Sequence, residues 1–188
     1  VAVLSGCSTG KGWFTDDKKA AEKAATEPVK LEKFEPSIQV DKLWSTSVGK
    51  GEKLLGVREG PAVADGHVYT AAIEGGVKAL DLQTGKELWH HKMKDERVSA
   101  VGAGDGLAVV GTLSGKLFAL EPATGEEKWT AKASNEIIAP PTIGQGNVLV
   151  HANDGQVLCF QVTDGVRRWF WNREQPALTV RGNGPVTL

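Results

Sequence analysis

The sequence predicts an all-β fold, a β-propeller of four-stranded antiparallel blades, and three observations lead to that prediction. Trp89, Trp129 and Trp169 stand 40 residues apart. Each 40-residue unit contains four short apolar runs of strand length. Three sets of turn glycines keep the same period: Gly66, Gly106 and Gly146; Gly75, Gly115 and Gly155; Gly85, Gly125 and Gly165. A fixed period in this range is typical of repeat folds, and four short strands per repeat is typical of a propeller blade.

The first repeat shows the order of strands and turns most clearly. Asp65-Gly66 is a hairpin signal, because both central residues of a type I′ turn adopt positive φ. Two later glycine turns divide the rest of the repeat. The predicted strands are Pro61–Ala64, His67–Ile73, Val77–Leu82 and Lys86–Met93. The fourth strand carries Trp89, which we assign to packing between neighbouring blades.

The second and third repeats follow the same plan. Their predicted turns are Asp105-Gly106, Ser114-Gly115 and Thr124-Gly125, then Gly146-Asn147, Asp154-Gly155 and Asp164-Gly165. The predicted blades cover residues 61–94, 98–133 and 138–172. A helical solenoid would need apolar residues at three- and four-residue spacing, which the repeats lack. A β-sandwich would not require equal units.

Two incomplete units flank the three repeats. Residues 38–48 place Trp44 where a blade has its last strand, so we predict a ring-closing strand there. A further blade is predicted to begin at Pro185. Because propellers have about four to eight blades, residues 38–188 are predicted to form part of a larger propeller. Unpaired blade edges would favour aggregation or strand pairing.

Composition and charge exclude some classes of function. The formal net charge is −1, from 22 basic and 23 acidic residues, which gives no electrostatic basis for binding nucleic acid. The chain has two cysteines, Cys7 and Cys159. Cys159 occupies the position of Ala79 and Ala119 in the other repeats, so we interpret it as a small buried apolar residue.

The N-terminal region is predicted to be an anchor and a tether. No stretch of the sequence is long enough to span a membrane as a helix. Leu4-Ser5-Gly6-Cys7 resembles the bacterial lipobox, in which a signal peptidase cuts before a cysteine that becomes lipid-modified. The resemblance makes residues 1–6 the remnant of a signal peptide and Cys7 the lipidation site. Residues 7–37 have too little apolar surface to pack, so we predict a flexible tether.

The end of each repeat resembles the tryptophan-docking motif of pyrroloquinoline-quinone (PQQ) type propellers. The three copies are Ala79-Leu80-Asp81-x-x-Thr84-Gly85-Lys86-x-x-Trp89, Ala119-Leu120-Glu121-x-x-Thr124-Gly125-x-x-x-Trp129 and the looser Cys159-Phe160-Gln161-x-x-Asp164-Gly165-x-x-x-Trp169. Enzymes and non-enzymes share this motif, so it indicates the fold and not the function.

Almost the whole chain is similar to the BamB family, the lipoproteins of the bacterial β-barrel assembly machinery. The lipobox and tether come first, Trp44-Ser45-Thr46-Ser47-Val48-Gly49 stands at the family's ring-closing strand, and Pro176-Ala177-Leu178-Thr179-Val180-Arg181-Gly182 follows the third repeat. The resemblance implies an eight-bladed propeller, about half of it present here. It further implies a non-catalytic scaffold without a cofactor, lipid-anchored in the outer membrane and facing the periplasm. The implied partners are the periplasmic domains of BamA and unfolded outer-membrane β-barrel proteins.

The connection after the third repeat is the predicted partner-binding segment. Pro141 follows Trp129 after twelve residues, whereas Pro185 follows Trp169 after sixteen. Long connections project from the faces of a propeller and carry binding.

Within this segment, Leu178 and Val180 alternate around one residue and would face the same way in an extended chain. Arg181 follows them, and apolar anchors beside an arginine are typical of interface hot spots. The residues alone favour a capping role for Leu178 and Val180, with Arg181 in a surface ion pair, over a binding role. The resemblance favours a binding site, because the family's Leu-x-Leu-Arg at this place contacts BamA.

A PQQ-dependent dehydrogenase and a general peptide-binding propeller are the alternative functions. Such dehydrogenases hold calcium with carboxylate and amide oxygens. The acidic residues here fall mostly at repeated turn positions, where turn chemistry explains them: Asp65, Asp81, Asp105 and Asp154. His90 and His91 are adjacent in a strand and point to opposite faces, so they are poorly placed to share a metal ion. Exposed strand edges can accept a peptide by β-augmentation, but no residue specifies such a site.

Overall fold

The computed structural model describes residues 37–49, 60–172 and 184–188, together with Pro28, Leu31 and Glu35. The chain divides into two units, Val1–Asp41 and Lys42–Leu188. In the first unit, the Gln39 side chain donates a hydrogen bond to Asp41 at 3.4 Å. Every strand of the described residues belongs to the second unit. Within the same described ranges, no helix is long and apolar enough to cross a membrane.

The second unit contains three four-stranded antiparallel sheets, each made from four consecutive strands. Blade 1 is β1 (Ala62–Ala64), β2 (His67–Ala72), β3 (Gly76–Asp81) and β4 (Glu87–His91). Blade 2 is β5 (Val98–Gly104), β6 (Leu107–Thr112), β7 (Lys116–Leu120) and β8 (Glu127–Lys132). Blade 3 is β9 (Thr142–Gly144), β10 (Asn147–His151), β11 (Val157–Gln161) and β12 (Arg167–Trp171). These sheets confirm the predicted fold class.

The first turn of each blade is a two-residue hairpin with positive φ at both central positions. Asp65 and Asp105 have φ of 48° and 45°, as the Asp-Gly pairs predict. In blade 3 the central residues are Gln145 and Gly146, with φ of 55° and 74°, and Asn147 begins β10. The prediction of a Gly146-Asn147 turn was therefore one residue late, because the hairpin keeps the 40-residue register although Gln is not a usual turn residue.

The middle blade is buried on both faces. β6 has no exposed residue, and its side chains alternate between the two junctions. Leu107 and Val109 belong to the apolar cluster shared with blade 3. Ala108 and Val110 belong to the cluster shared with blade 1. Burying one Val or Leu side chain contributes about 1.5–3 kcal/mol, so the stacking of the blades is the main source of stability.

The predicted flanking elements are not strands in the described ranges. Residues 37–49 and 184–188 have no strand assignment. None of the three described sheets includes the ring-closing segment, so this element stays a prediction. The start of a further blade at Pro185 stays a prediction for the same reason, although the Thr142 hydroxyl on β9 donates a hydrogen bond to the Val186 carbonyl.

Blade junctions and the candidate interaction surface

Three of the four repeat tryptophans join successive repeats by the same hydrogen bond. Trp44 Nε1 donates to the Leu82 carbonyl at 2.9 Å. Trp89 and Trp129 repeat the bond to the Pro122 and Val162 carbonyls, at 2.8 Å in both cases. Trp169 is 47% exposed in β12. Each docked indole thus supplies a donor to a carbonyl in the turn between the third and fourth strands of the following unit.

A glycine in that same turn receives the flat face of each docked indole. Gly125 has a φ of 74°, and a methyl group added there would lie 2.6 Å from the ring of Trp89. Gly165 has a φ of 71° and the same relation to Trp129, at 2.5 Å. Positive φ disfavours side chains, and the close approach of the ring excludes them. The two requirements together explain why these glycines keep the period of the tryptophans.

The turn that carries the docking glycine is held by the acidic residue of the motif. In blade 1, Asp81 Oδ1 accepts hydrogen bonds from the Thr84 hydroxyl at 2.6 Å and the Thr84 amide at 2.8 Å. The Thr84 hydroxyl, followed by the Thr84 and Gln83 amides, holds the pKa of Asp81 below its ordinary value. Asp81 is therefore an ionised part of the turn.

Blades 2 and 3 use the same position for a cross-strand contact. Glu121 accepts a hydrogen bond from Lys128 at 2.8 Å. Gln161 accepts from Arg168 at 3.3 and 3.2 Å and donates to the Thr163 hydroxyl at 2.7 Å. The residue at this position therefore bonds to the turn in blades 1 and 3 and to the fourth strand in blades 2 and 3.

Other acidic residues of the repeats also accept hydrogen bonds from turn amides. Asp105 Oδ2 accepts from the Gly146 amide of the next blade at 2.8 Å. Asp154 and Asp164 each accept from an amide two residues later, at 3.1 and 3.0 Å. Among the described residues, no group of three or more His, Cys, Asp or Glu side chains is placed to hold a metal ion.

The paired histidines have different partners, as strand alternation predicts. His90 Nε2 donates to the Gly75 carbonyl at 2.5 Å within blade 1. His91 Nε2 instead donates to Glu127 of blade 2 at 3.1 Å. Cys159 is 1% exposed, as predicted, and its thiol lies 3.4 Å from Asn147 Oδ1. Burial raises the pKa of the Cys159 thiol, so it remains protonated and inert near neutral pH.

Sequence reasoning missed a buried polar link between blades 2 and 3. The Ser99 hydroxyl on β5 donates to the Ile137 carbonyl, and Ser99 is fully buried. Ile137 lies in the connection between β8 and β9, where its amide donates to the Thr112 carbonyl at 3.1 Å. Ser99 does not recur at the 40-residue period, since Glu59 and Ala139 stand at the equivalent positions. No periodic signal could have identified it.

The predicted partner-binding residues, Leu178, Val180 and Arg181, lie outside the described residues, as does Cys7. Both flanks of the segment are described. β12 ends at Trp171, which pairs with Val157 directly after the Asp154-Gly155 turn. On the other side, His151 Nδ1 donates to the Gly184 carbonyl at 3.1 Å. The segment therefore leaves and rejoins the described fold beside the turn between β10 and β11.

The connections between blades lie on one face of the propeller. The connection after β8 is hydrogen-bonded to the turn between β6 and β7, where the Ala133 amide donates to the Gly115 carbonyl at 2.8 Å. It also meets the turn between β10 and β11, where the Asn153 amide donates to the Glu136 carbonyl at 2.8 Å. The flanks of the segment before Gly184 adjoin this last turn.

Repeated four-stranded blades with tryptophan-docked junctions define a β-propeller of PQQ-type repeats. The family model described as outer membrane protein assembly factor BamB matches residues 40–100 and 73–188. The chain belongs to this family.

Individual relatives agree with this assignment. The outer membrane protein assembly factor BamB of Xanthomonas campestris pv. campestris is 60% identical, over 56% of this chain and 28% of the relative. The crystal structure of BamB from Moraxella catarrhalis is similar with a TM-score of 0.59 and 27% identity, over 65% of this chain and 37% of that one. The chain therefore spans less than two thirds of either protein.

A redox enzyme shares the fold. The quinohemoprotein alcohol dehydrogenase from Comamonas testosteroni is similar with a TM-score of 0.51 and 27% identity, over 62% of this chain and 21% of the enzyme. The similarity extends over one part of a much larger protein, and the shared repeats do not specify a reaction.

Proposed function

We propose that the protein is a non-catalytic scaffold lipoprotein of the β-barrel assembly machinery. In this role it binds BamA and aids the folding and insertion of outer-membrane β-barrel proteins. The observation that carries the proposal is the BamB family match across residues 40–188, which includes all three described blades. The docked junctions support it, because a propeller held by repeated indole hydrogen bonds is a rigid platform for loops.

The proposed contact with BamA is made by Leu178, Val180 and Arg181. Leu178 and Val180 would face the same way in an extended chain and so offer an apolar anchor, and the planar guanidinium of Arg181 suits a carboxylate on the partner. The flanks of the segment support this assignment. The two flanking residues, Trp171 and Gly184, both lie beside the turn between β10 and β11. This turn is on the face that holds the other connections between blades.

Co-purification with BamA tests this contact. We expect the triple variant Leu178→Ala, Val180→Ala, Arg181→Ala to lose BamA capture. The matched control is Val166→Ala with Glu126→Ala, which changes exposed residues in the turns before β12 and β8, at the opposite end of the strands. Equal capture by the triple variant and the control would exclude this site.

Membrane anchoring is proposed to depend on a lipid on Cys7. Stable attachment requires more than one acyl chain, since a single chain binds marginally. A lipid-modified Cys7 in the outer membrane would leave residues 8–37 as the tether to the propeller. We expect Cys7→Ser in the full precursor to move the protein from the outer-membrane fraction to the soluble periplasmic fraction. Retention of the variant in the membrane would contradict the anchor.

A PQQ-dependent dehydrogenase is the competing function, favoured by the likeness to the quinohemoprotein alcohol dehydrogenase. The hydrogen bonds of Asp81, Asp105 and Asp154 to turn groups support the scaffold instead, because they account for these carboxylates without a metal. Titration of the full chain with PQQ and calcium separates the two functions. Calcium-dependent binding of PQQ would favour the dehydrogenase.

A further inference from the structure

Two side chains of blade 3 hold the chain that follows the proposed partner-binding segment. His151, at the end of β10, donates from Nδ1 to the Gly184 carbonyl at 3.1 Å. The Thr142 hydroxyl on β9 donates to the Val186 carbonyl. Both acceptors come directly after the segment, so these bonds fix the place where the chain rejoins blade 3.

Blade 2 holds the corresponding connection by close packing instead. Gly111 stands 40 residues before His151 and pairs with the equivalent residue of the next strand. Ile137, in the connection after β8, is fully buried, and a methyl group added at Gly111 would overlap its side chain. A histidine at this place excludes such packing, because it fills the space that the connection occupies in blade 2. In blade 3 the histidine supplies a hydrogen-bond donor to the returning chain.

The innermost strand shows the same replacement. Gly102 on β5 and Thr142 on β9 are equivalent both by the 40-residue period and by strand pairing. The Pro141 carbonyl approaches Gly102 too closely for a side chain. Thr142 carries a hydroxyl at this position and bonds to the Val186 carbonyl. Two close contacts to glycine in blade 2 are therefore replaced by two hydrogen bonds in blade 3.

Both ends of the proposed partner-binding segment are attached to one cross-strand row of blade 3. His151 pairs with Val157, and Val157 pairs with Trp171, the last residue of β12. The segment leaves blade 3 after Trp171, and its far flank is bonded to His151. Two strand spacings, about 10 Å, separate these two residues. The His151 bond therefore fixes the distance between the two ends of the segment.

We propose that His151 is a positioning residue for partner binding, with Thr142 as a second one. Neither residue contacts the partner. They hold the return flank of the segment, so that Leu178, Val180 and Arg181 bind BamA with a smaller loss of conformational freedom. The inference rests on the proposed function, because the segment that these bonds position is the proposed BamA contact.

Hydrogen–deuterium exchange of the full chain tests the attachment without BamA, in a peptide that covers residues 184–188. His151→Ala should raise the exchange rate of this peptide by about two- to tenfold, because the loss of one neutral hydrogen bond has this magnitude. His151→Asn should stay near the parent, since its side-chain amide places a donor the same number of bonds from the backbone as Nδ1. An unchanged rate in His151→Ala overturns the inference.

Titration of the purified full chain with BamA tests the positioning. We expect His151→Ala to weaken the affinity for BamA by about two- to tenfold, and His151→Asn to retain it. His90→Ala is the matched control, because it removes a histidine bond to the carbonyl of Gly75 within blade 1. This control should leave the affinity unchanged. Circular dichroism and thermal unfolding establish that each variant is folded.

The second donor gives an independent measurement. Thr142→Val keeps the shape of the side chain and removes the hydroxyl, whereas Thr142→Ser keeps the hydroxyl. We expect faster exchange of residues 184–188 and weaker BamA binding in the valine variant alone. Equal behaviour of the two variants would show that the bond to Val186 does not hold the flank, and Thr142 would have no positioning role.

The outcomes separate this inference from the proposed function. Suppose that His151→Ala exchanges faster and binds BamA as the parent does, while the triple variant at the proposed contact loses BamA. The segment then binds without this positioning, and the inference is overturned. If the parent itself binds no BamA, the proposed function fails, and the exchange rates alone decide whether His151 positions the segment.

Discussion

The indole nitrogen of Trp89 at the edge of blade 1 donates a hydrogen bond to the carbonyl of Pro122 in blade 2, at 2.8 Å. The same ring covers Gly125 in that turn. One side chain therefore joins two blades by a polar bond at its edge and by contact at its face. The same relation holds between Trp129 and Gly165. The 40-residue period of the sequence is therefore the spacing of the junctions between blades.

Gly125→Ala should destabilise the propeller because it combines two penalties. Alanine at a φ of 74° costs about 1–2 kcal/mol, and the clash of its methyl group with Trp89 adds about 1–3 kcal/mol. Urea unfolding measures the loss. Gly106→Ala is the matched control, since its φ is 69° but nothing lies within 4 Å of an added methyl group.

A double-mutant cycle isolates the contact with the ring. In the background of Trp89→Ala, Gly125→Ala should cost no more than Gly106→Ala, because only the backbone penalty remains. If the two glycine variants lose equal stability in the parent chain, the ring contact contributes nothing, and the explanation given for the periodic glycines is wrong.

Trp129→Phe should cost about 1–3 kcal/mol, because it leaves the Val162 carbonyl without the Nε1 donor in a poorly solvated junction. Trp129 is only 9% exposed, so water does not readily replace the bond. Trp171→Phe is the control, at a side chain 55% exposed in β12. Thermal unfolding of both variants should show a clearly lower midpoint only for the first. Similar midpoints would mean that the indole bond is not needed for the junction.

The sequence predicted the blades well because their turns have local causes. Asp65 and Asp105 occupy positions where a short polar residue tolerates positive φ, and these turns appear where predicted. Gln145 adopts the same conformation without a local signal, and this displaced the predicted turn by one residue. Local chemistry therefore identified the element, while the fold determined its register.

The junctions between blades were only partly accessible to sequence reasoning. The tryptophan period indicated packing between blades, but the bond partner of each indole lies 33 or 38 residues away. A contact between two residues that are distant in sequence cannot be predicted from local sequence patterns.

Ser99→Ala should lower stability by about 1–3 kcal/mol, since it leaves the buried Ile137 carbonyl without its hydroxyl donor. Thr130→Ala removes an exposed hydroxyl and should change stability little. Chemical denaturation provides the free energies of unfolding. Ser99→Ala with the stability of the parent would show that the Ile137 carbonyl does not depend on this bond.

Stability should fall in acid, in part because Asp81 is more acidic in the folded chain than its ordinary value of 3.8. A pKa lowered by folding means that the unfolded chain binds more protons, so stability rises with pH in this range. The contribution of Asp81 is complete above pH 3.8 and is lost as the pH falls through the folded pKa. Asp81→Asn should therefore be less stable than the parent near neutral pH, and the difference should shrink on acidification.

Urea midpoints across a pH series test this dependence. Glu74→Gln is the control, because Glu74 is exposed and has no hydrogen bond to another described side chain. Its midpoint should follow that of the parent at each pH. A constant difference between Asp81→Asn and the parent from neutral to acid pH would show that the charge on Asp81 does not stabilise the turn. In that case the Thr84 hydroxyl and amide bind the side chain equally well without ionisation.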